Sequence, residues 1–197
     1  MSRPVDHEKR REIVERAFEV VLERGVAKTT MSHIAEALGM KRPTLYWYFA
    51  DVDTLFEAMV EQLEGRLLDQ VVAAMAAEQH PIDQLLAMLT TVTAFYEQER
   101  AVVEGLVRLW SSRPEASSLL IARDERQRQF LTALVQQGID AGLVRPCDAA
   151  GLVHTVSTLV DGSVLRTVLV GMSPQPMIDF AAEHLLEPLR ITPSDGN

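Results

Sequence analysis

The sequence predicts an all-α protein: an N-terminal three-helix domain with a helix-turn-helix, followed by a larger C-terminal helical bundle, about nine helices in total. Three observations carry that expectation. Apolar residues recur at i, i+3, i+4 and i+7 along almost the whole chain, and no alternating run bounded by turn residues reads as a strand. Capping residues, glycines and prolines punctuate the pattern at helix-sized intervals. Positive charge gathers in the first quarter, where the helices are shortest.

A first helix, from about Asp6 to Arg24, carries the stripe Ile13, Val14, Ala17, Phe18 and Val21, and Gly25 follows as its C-terminal glycine. Met31, Ile34, Ala35 and Leu38 mark a short second helix, capped by Thr30 and stopped by Gly39. The third runs from near Lys41 to about Phe49, with Pro43 tolerated in its first turn. Asp51 is suited to cap a long fourth helix reaching about Glu78, striped by Leu55, Phe56, Met59, Val60, Leu63 and Leu67. His80-Pro81 breaks the chain before a fifth helix from Ile82 to Glu97. A sixth spans about Ala101 to Trp110, and Ser111-Ser112-Arg113-Pro114 is a loop by composition. The seventh covers about Glu115 to Asp140, ending before Gly142. The eighth covers Ala149 to Val170, with Asp148 as cap and Gly171 as stop. Ser173-Pro174 opens a ninth, reaching about Leu189, and the tail from Ile191 to Asn197 is expected to fray.

Composition narrows the function. Of 197 residues, 47 % are apolar and 24 % charged, as expected of a globular chain rather than a disordered one. The single cysteine, Cys147, excludes an internal disulfide framework, and no residue cluster has metal-ligand spacing, so no cofactor or metal is expected. The N-terminus lacks the apolar core of a signal peptide. The most apolar stretch, Leu152 to Met172, is interrupted by His154, Asp161 and Arg166, so no membrane contact is expected and the expected location is cytoplasmic. Residues 1–50 hold 9 Lys/Arg against 7 Asp/Glu, whereas the remainder holds 10 Arg, no Lys and 21 Asp/Glu. Any contact with nucleic acid must come from the first quarter, because phosphate neutralisation needs a positive surface.

The chemistry lies between Thr29 and Phe56. Two short helices joined by Gly39-Met40-Lys41 match a helix-turn-helix, whose second helix enters the major groove. That second helix reads Arg42-Pro43-Thr44-Leu45-Tyr46-Trp47-Tyr48-Phe49. Leu45 and Phe49, four apart, are placed to anchor the core side. Thr44, Tyr46, Trp47 and Tyr48 then occupy the other faces, although Tyr48 alone is as readily a core residue. Tyrosine hydroxyls and the Trp N–H donate to phosphates, Pro43 and Thr44 suit a thymine methyl, and Lys41 and Arg42 add charge. His33 is expected to face solvent or a phosphate.

The run Thr30-Met31-Ser32-His33-Ile34-Ala35-Glu36-Ala37-Leu38-Gly39-Met40, followed by Pro43-Thr44-Leu45-Tyr46-Trp47-Tyr48-Phe49 and Leu55, resembles the TetR family of transcriptional regulators. The close match covers about a quarter of the chain, and the nine-helix layout extends it over the rest. The resemblance implies that Thr30 caps the second helix near a phosphate and that Ser32 sits where some members read a base. It implies that Pro43 and Thr44 approach base edges, and that Tyr46, Trp47 and Tyr48 meet the backbone. Two departures stand out. Lys41 stands where the family often has a small capping serine. Val52, between Asp51 and Asp53, stands where many members carry a lysine aimed at phosphate. Fewer phosphate contacts and a shallower salt dependence follow.

The resemblance also implies residues 1–50 as the DNA-binding domain and 51–197 as a ligand-sensing and dimerisation domain. A mostly apolar small molecule is expected among helices four to eight, with Phe95, Arg108, Trp110, His154, Thr158 and Asp161 as candidates, Thr91 beside them. Helix eight is apolar over more than one face and must be covered on most sides. A homodimer through Leu152, Val156, Leu159, Met177, Phe180, Ala181 and Leu185 would cover it, with Gly162 and Ser163 allowing close approach. Such a two-fold dimer presents two recognition helices to a palindromic operator. Repression, relieved by the ligand, is the expected mode; ligand-independent regulation or activation is the alternative. An enzyme is not expected, for there is no phosphate-cradling loop, nucleophile elbow or spaced ligand pair. Redox sensing by Cys147 would need a lowered pKa, with only Arg145 nearby to supply it.

Overall fold

The computed structural model describes residues 6–25, 28–100, 103–104 and 117–191, with side chains from residue 124 in the last stretch. Eight α-helices occupy them: α1 (His7–Arg24), α2 (Met31–Ala37), α3 (Arg42–Tyr48), α4 (Val52–Ala76), α5 (Pro81–Gln98), α6 (Ser117–Asp140), α7 (Ala149–Val170) and α8 (Gln175–Phe180). The predicted sixth helix and the loop after it fall outside the described residues, apart from helical Val103 and Glu104. Here α6, α7 and α8 therefore correspond to the predicted helices seven, eight and nine. Among the described residues there is no strand, only one antiparallel bridge between Val144 and Arg190. These residues form two compact units, which divide within α4 after Leu67.

In the first unit, Asp6 caps α1 by accepting from the amides of Glu8 (3.1 Å) and Lys9 (3.0 Å). The helix then buries Ile13, Val14, Ala17, Val20 and Val21, and Phe18 packs partly buried against the same core. From α2 come Met31, Ile34 and Ala35, followed by Leu38; from α3 comes Leu45, followed by Phe49. The first turns of α4 add Leu55, Phe56, Ala58 and Met59, so this core continues past residue 50. Asp51 caps α4 as the sequence predicts: its Oδ1 accepts from the Thr54 amide at 2.8 Å and the Thr54 hydroxyl at 2.9 Å.

The second unit is built on α5, α6 and α7, which pack on one another in all three pairings. Ile82, Leu85, Met88, Leu89, Val92 and Phe95 line the inner face of α5, Leu131 and Val135 that of α6, and Val153, Val156, Val160 and Val168 that of α7. His80, read from sequence only as part of a break, caps α5: its Nδ1 accepts from the Ile82 amide at 3.1 Å. Asp148 caps α7 by accepting from Gly151 at 3.0 Å, and Gly171 closes that helix at φ 72°. Near the end of α6, Gly138 leaves no room for a side chain, since a Cβ there would lie 2.7 Å from Val144 and 2.9 Å from Pro81.

The predicted ninth helix is not one continuous α-helix. After α8 the chain widens into a π-helical turn (Ala181–Leu186) and then tightens into a 3-10 turn (Glu187–Leu189). Pro188 lacks the amide that a further α-helical turn needs. Nor is Ile191 frayed: its amide donates to the Leu143 carbonyl at 2.9 Å, and the Arg145 amide donates to the Leu189 carbonyl at 2.8 Å. Arg190 is the clasp. Its guanidinium forms a bidentate pair with Asp83 on α5, with one bond at 2.9 Å, and also bonds Glu187. The Arg190 hydrogen bonds hold the Asp83 and Glu187 carboxyls below their ordinary values, against the opposing effect of burial.

Candidate DNA-binding site

The site is assembled by a turn between two seven-residue helices. Thr30 Oγ1 accepts from the His33 amide at 3.3 Å and starts α2. At its other end the Met40 amide donates to the Ala35 carbonyl (2.8 Å) and the Gly39 amide to Glu36 (3.0 Å). This paired closure needs a left-handed residue between them, and Gly39 supplies it at φ 64°. The chain leaves in a new direction and enters α3 at Lys41, whose side chain makes no capping bond. Its ammonium is thus left for other partners.

The faces of α3 separate sharply. Leu45 (0 % exposed) and Phe49 (1 %) turn into the core, whereas Tyr46 (50 %) and Trp47 (43 %) turn out. Lys41, Arg42, Pro43 and Thr44 are exposed as well. Tyr48 lies between the two faces, half-buried against the core, with its ring edge-on to Trp47 at 4.7 Å. On α2, Ser32 and His33 are half-buried and Thr30 is exposed. Sequence reasoning missed Arg10 of α1, whose guanidinium sits over the Phe49 ring at 5.0 Å and braces the end of α3. It also missed the Lys28 carbonyl, 3.2 Å from His33 Nδ1. Neither contact has a local sequence signature. The arrangement presents hydroxyls, an indole N–H and cations on a rigid outward face, and it makes a helix-turn-helix reader of duplex DNA.

Comparison with known proteins agrees. Residues 13–59 match the model of "Bacterial regulatory proteins, tetR family", and residues 81–189 match that of the "BetI-type transcriptional repressor, C-terminal". The chain is similar to the probable acrEF/envCD operon repressor of Escherichia coli K12 (35 % identical, covering 95 % of this chain and 88 % of that protein). It is also similar to the nucleoid occlusion factor SlmA of Haemophilus influenzae (23 % identical, 85 % and 78 %). A TetR transcription regulator from Haloarcula marismortui shares the fold, with TM-score 0.83 at 22 % identity over 94 % of this chain and all of that one. The chain belongs to the TetR family: it is a DNA-binding transcriptional regulator, in a family of regulators rather than enzymes.

The second unit redistributes the other predicted residues. Of the predicted interface residues, Val156 (3 % exposed), Ser163 (9 %) and Ala181 (0 %) are buried within the protomer. On α7, the side holding Val156 and Ser163 faces inward, where α5 and α6 pack. Leu152, Leu159, Met177 and Leu185 are half-buried, and Gly162 and Phe180 are exposed. Leu165 and Leu169, not among the predicted interface residues, are exposed on the same face of α7 as Gly162.

Of the ligand candidates, Phe95 is buried on α5, while Arg108 and Trp110 fall outside the described residues. His154 and Thr158 are exposed rather than interior. His154 instead edges an open groove of about 620 Å³ with Glu125, Arg128, Gln129 and Gln136 of α6. Asp161 keeps an exposed edge, yet burial and then Asp124 push its carboxyl up, and Arg128 only partly offsets them. Burial, then Asp161, also pushes up the phenol of Tyr96, which meets Phe95 edge-on at 6.0 Å. Burial and Asp148 raise the Cys147 thiol, the wrong direction for a reactive thiolate. Among the described residues no cluster suits a metal ion, and no helix is long and apolar enough to cross a membrane.

Proposed function

We propose that the protein is a homodimeric repressor that grips a palindromic operator with α2 and α3 of each subunit and releases it on binding a small, mostly apolar molecule. The carrying observation is the outward face of α3. Two large aromatic side chains stand in solvent beside Lys41 and Arg42, while Leu45 and Phe49 lock the helix from behind. Exposed rings on so short a helix are costly without a partner, and their polar tips suit a phosphate backbone. Repression is favoured by the matched repressor model and by the operon repressor to which the chain is similar.

Dimerisation is supported by the exposed apolar face of α7, where Leu165 and Leu169 flank Gly162, with Phe180 exposed on α8. Two such faces, one per subunit, form a self-complementary interface. The ligand reading draws support from Phe95, Tyr96 and Asp161, an aromatic pair beside a carboxyl kept from easy ionisation. Release follows if the ligand prefers one of two conformations, and by no more than that preference.

Selection of binding sites from random duplex DNA at near-physiological salt tests the reading. Enrichment of a palindrome is expected, and Trp47→Ala is expected to lose at least tenfold in affinity for it while remaining folded. A folded Trp47→Ala that binds the enriched palindrome as tightly as wild type would remove the exposed aromatic face of α3 from the contact.

A further inference from the structure

We propose that His33 is a proton-linked phosphate contact: DNA draws a proton onto its Nε2, so binding tightens as pH falls. The inference rests on the operator reading of α2 and α3 and adds a chemical condition to it. His33 Nδ1 lies 3.2 Å from the carbonyl oxygen of Lys28. A carbonyl only accepts, so Nδ1 carries the hydrogen, and in a neutral ring Nε2 is left with a bare lone pair. The backbone is fixed too, because the His33 amide donates to Thr30 Oγ1 at 3.3 Å. A DNA phosphate offers acceptors only. Facing it, the neutral tautomer sets lone pair against lone pair. The imidazolium, by contrast, keeps its bond to Lys28 and gains a charge-assisted donor at Nε2.

Among the described residues, no neighbouring carboxylate already stabilises that proton. The elements packed on α2 carry Glu23 and Arg24 at the end of α1 and Lys41 and Arg42 at the start of α3; Lys28 and Glu36 flank the ring in sequence. Among the described residues none of these side chains forms an ion pair with His33. The phosphate therefore supplies the counter-charge, which makes protonation a property of the complex. Each bound subunit that takes up a proton then gains up to about tenfold in affinity per unit fall in pH. The gained contact also steepens the salt dependence, by about 0.9 per subunit in log K against log salt.

The test is fluorescence anisotropy on a duplex enriched from a random-sequence library, between about pH 6 and 8 and at several salt concentrations. Wild type is expected to tighten at least tenfold toward the acid end and to show a steeper salt slope there. His33→Asn keeps a donor at the Nδ1 position and lacks Nε2; both effects are expected to vanish. His7→Asn, which changes the other histidine of the first unit, is expected to behave as wild type. His33→Gln, a permanent donor, is expected to bind independently of pH and serves if the Asn variant fails to fold. Wild-type binding that ignores pH, or a folded His33 variant that keeps the wild-type pH dependence, overturns the inference alone. Absence of wild-type binding at every pH overturns the operator reading as well.

Discussion

Replacing Gly138 with alanine sets two opposing effects against each other at one position. In a helix interior with open space, glycine-to-alanine stabilises by about 1 kcal/mol, through helix propensity and a less flexible unfolded chain. At Gly138 the new methyl would stand 2.7 Å from Val144 Cγ2, 2.9 Å from Pro81 Cγ and 3.2 Å from Pro81 Cβ. Carbon atoms settle at about 3.5–4.0 Å, so both neighbours must retreat by more than half an ångström. Neither retreats easily: Val144 is 1 % exposed and Pro81 is a fixed ring in the first turn of α5. Overpacking of this kind costs about 1–3 kcal/mol, so Gly138→Ala should destabilise by about 1 kcal/mol net. Gly65, in the middle of α4 with nothing within 4 Å, is the control, and Gly65→Ala should stabilise by about 0.5–1 kcal/mol. Urea unfolding followed by circular dichroism, each variant against wild type, measures both. A Gly138→Ala protein at least as stable as Gly65→Ala would refute the packing argument.

Two further predictions concern charge and assembly. Because Asp83 and Glu187 are held below their ordinary values, the clasp's stabilisation is complete above the unfolded carboxylate range, near 4, and is lost as pH falls through the depressed folded values. Arg190→Met should therefore cost about 1–2 kcal/mol at neutral pH and flatten the acid-side fall in urea midpoint; a variant with the wild-type acid slope would locate that fall elsewhere. Leu165→Glu, at a position 47 % exposed, should change protomer stability by no more than about 0.5 kcal/mol yet yield monomer in sedimentation equilibrium. An unchanged dimer would take this face of α7 out of the interface.

What was legible in the sequence were features whose cause is local. Thr30, Asp51 and Asp148 cap helices because a short side-chain oxygen reaches amides two or three residues on, and Gly39 turns the chain because only glycine occupies that φ freely. The split between Leu45 and Tyr46 follows from 3.6-residue spacing once Phe49 fixes the inner face. What was not legible depended on which neighbour covers an apolar helix. Spacing alone does not say that α5 and α6 cover the Val156 and Ser163 side of α7 and leave Leu165 and Leu169 to solvent. The same gap hid that His154 and Thr158 are exposed. The Arg190–Asp83 pair joins residues 107 positions apart, and the His80 cap uses a side chain seldom chosen for that role, so neither announces itself along the chain.

The clasp also orders events in time. Asp83 is made early in the second unit, but its partner is the residue at 190, so during synthesis the carboxylate waits for more than a hundred residues. The single oxygen of Leu143 likewise waits, since it sits 3.1 Å from His80 Nε2 and also receives the Ile191 amide. Until residues 190 and 191 arrive, the first turn of α5 lacks one of its anchors, and a nascent unit stalled short of that point is more open to proteases and chaperones than one that has made them.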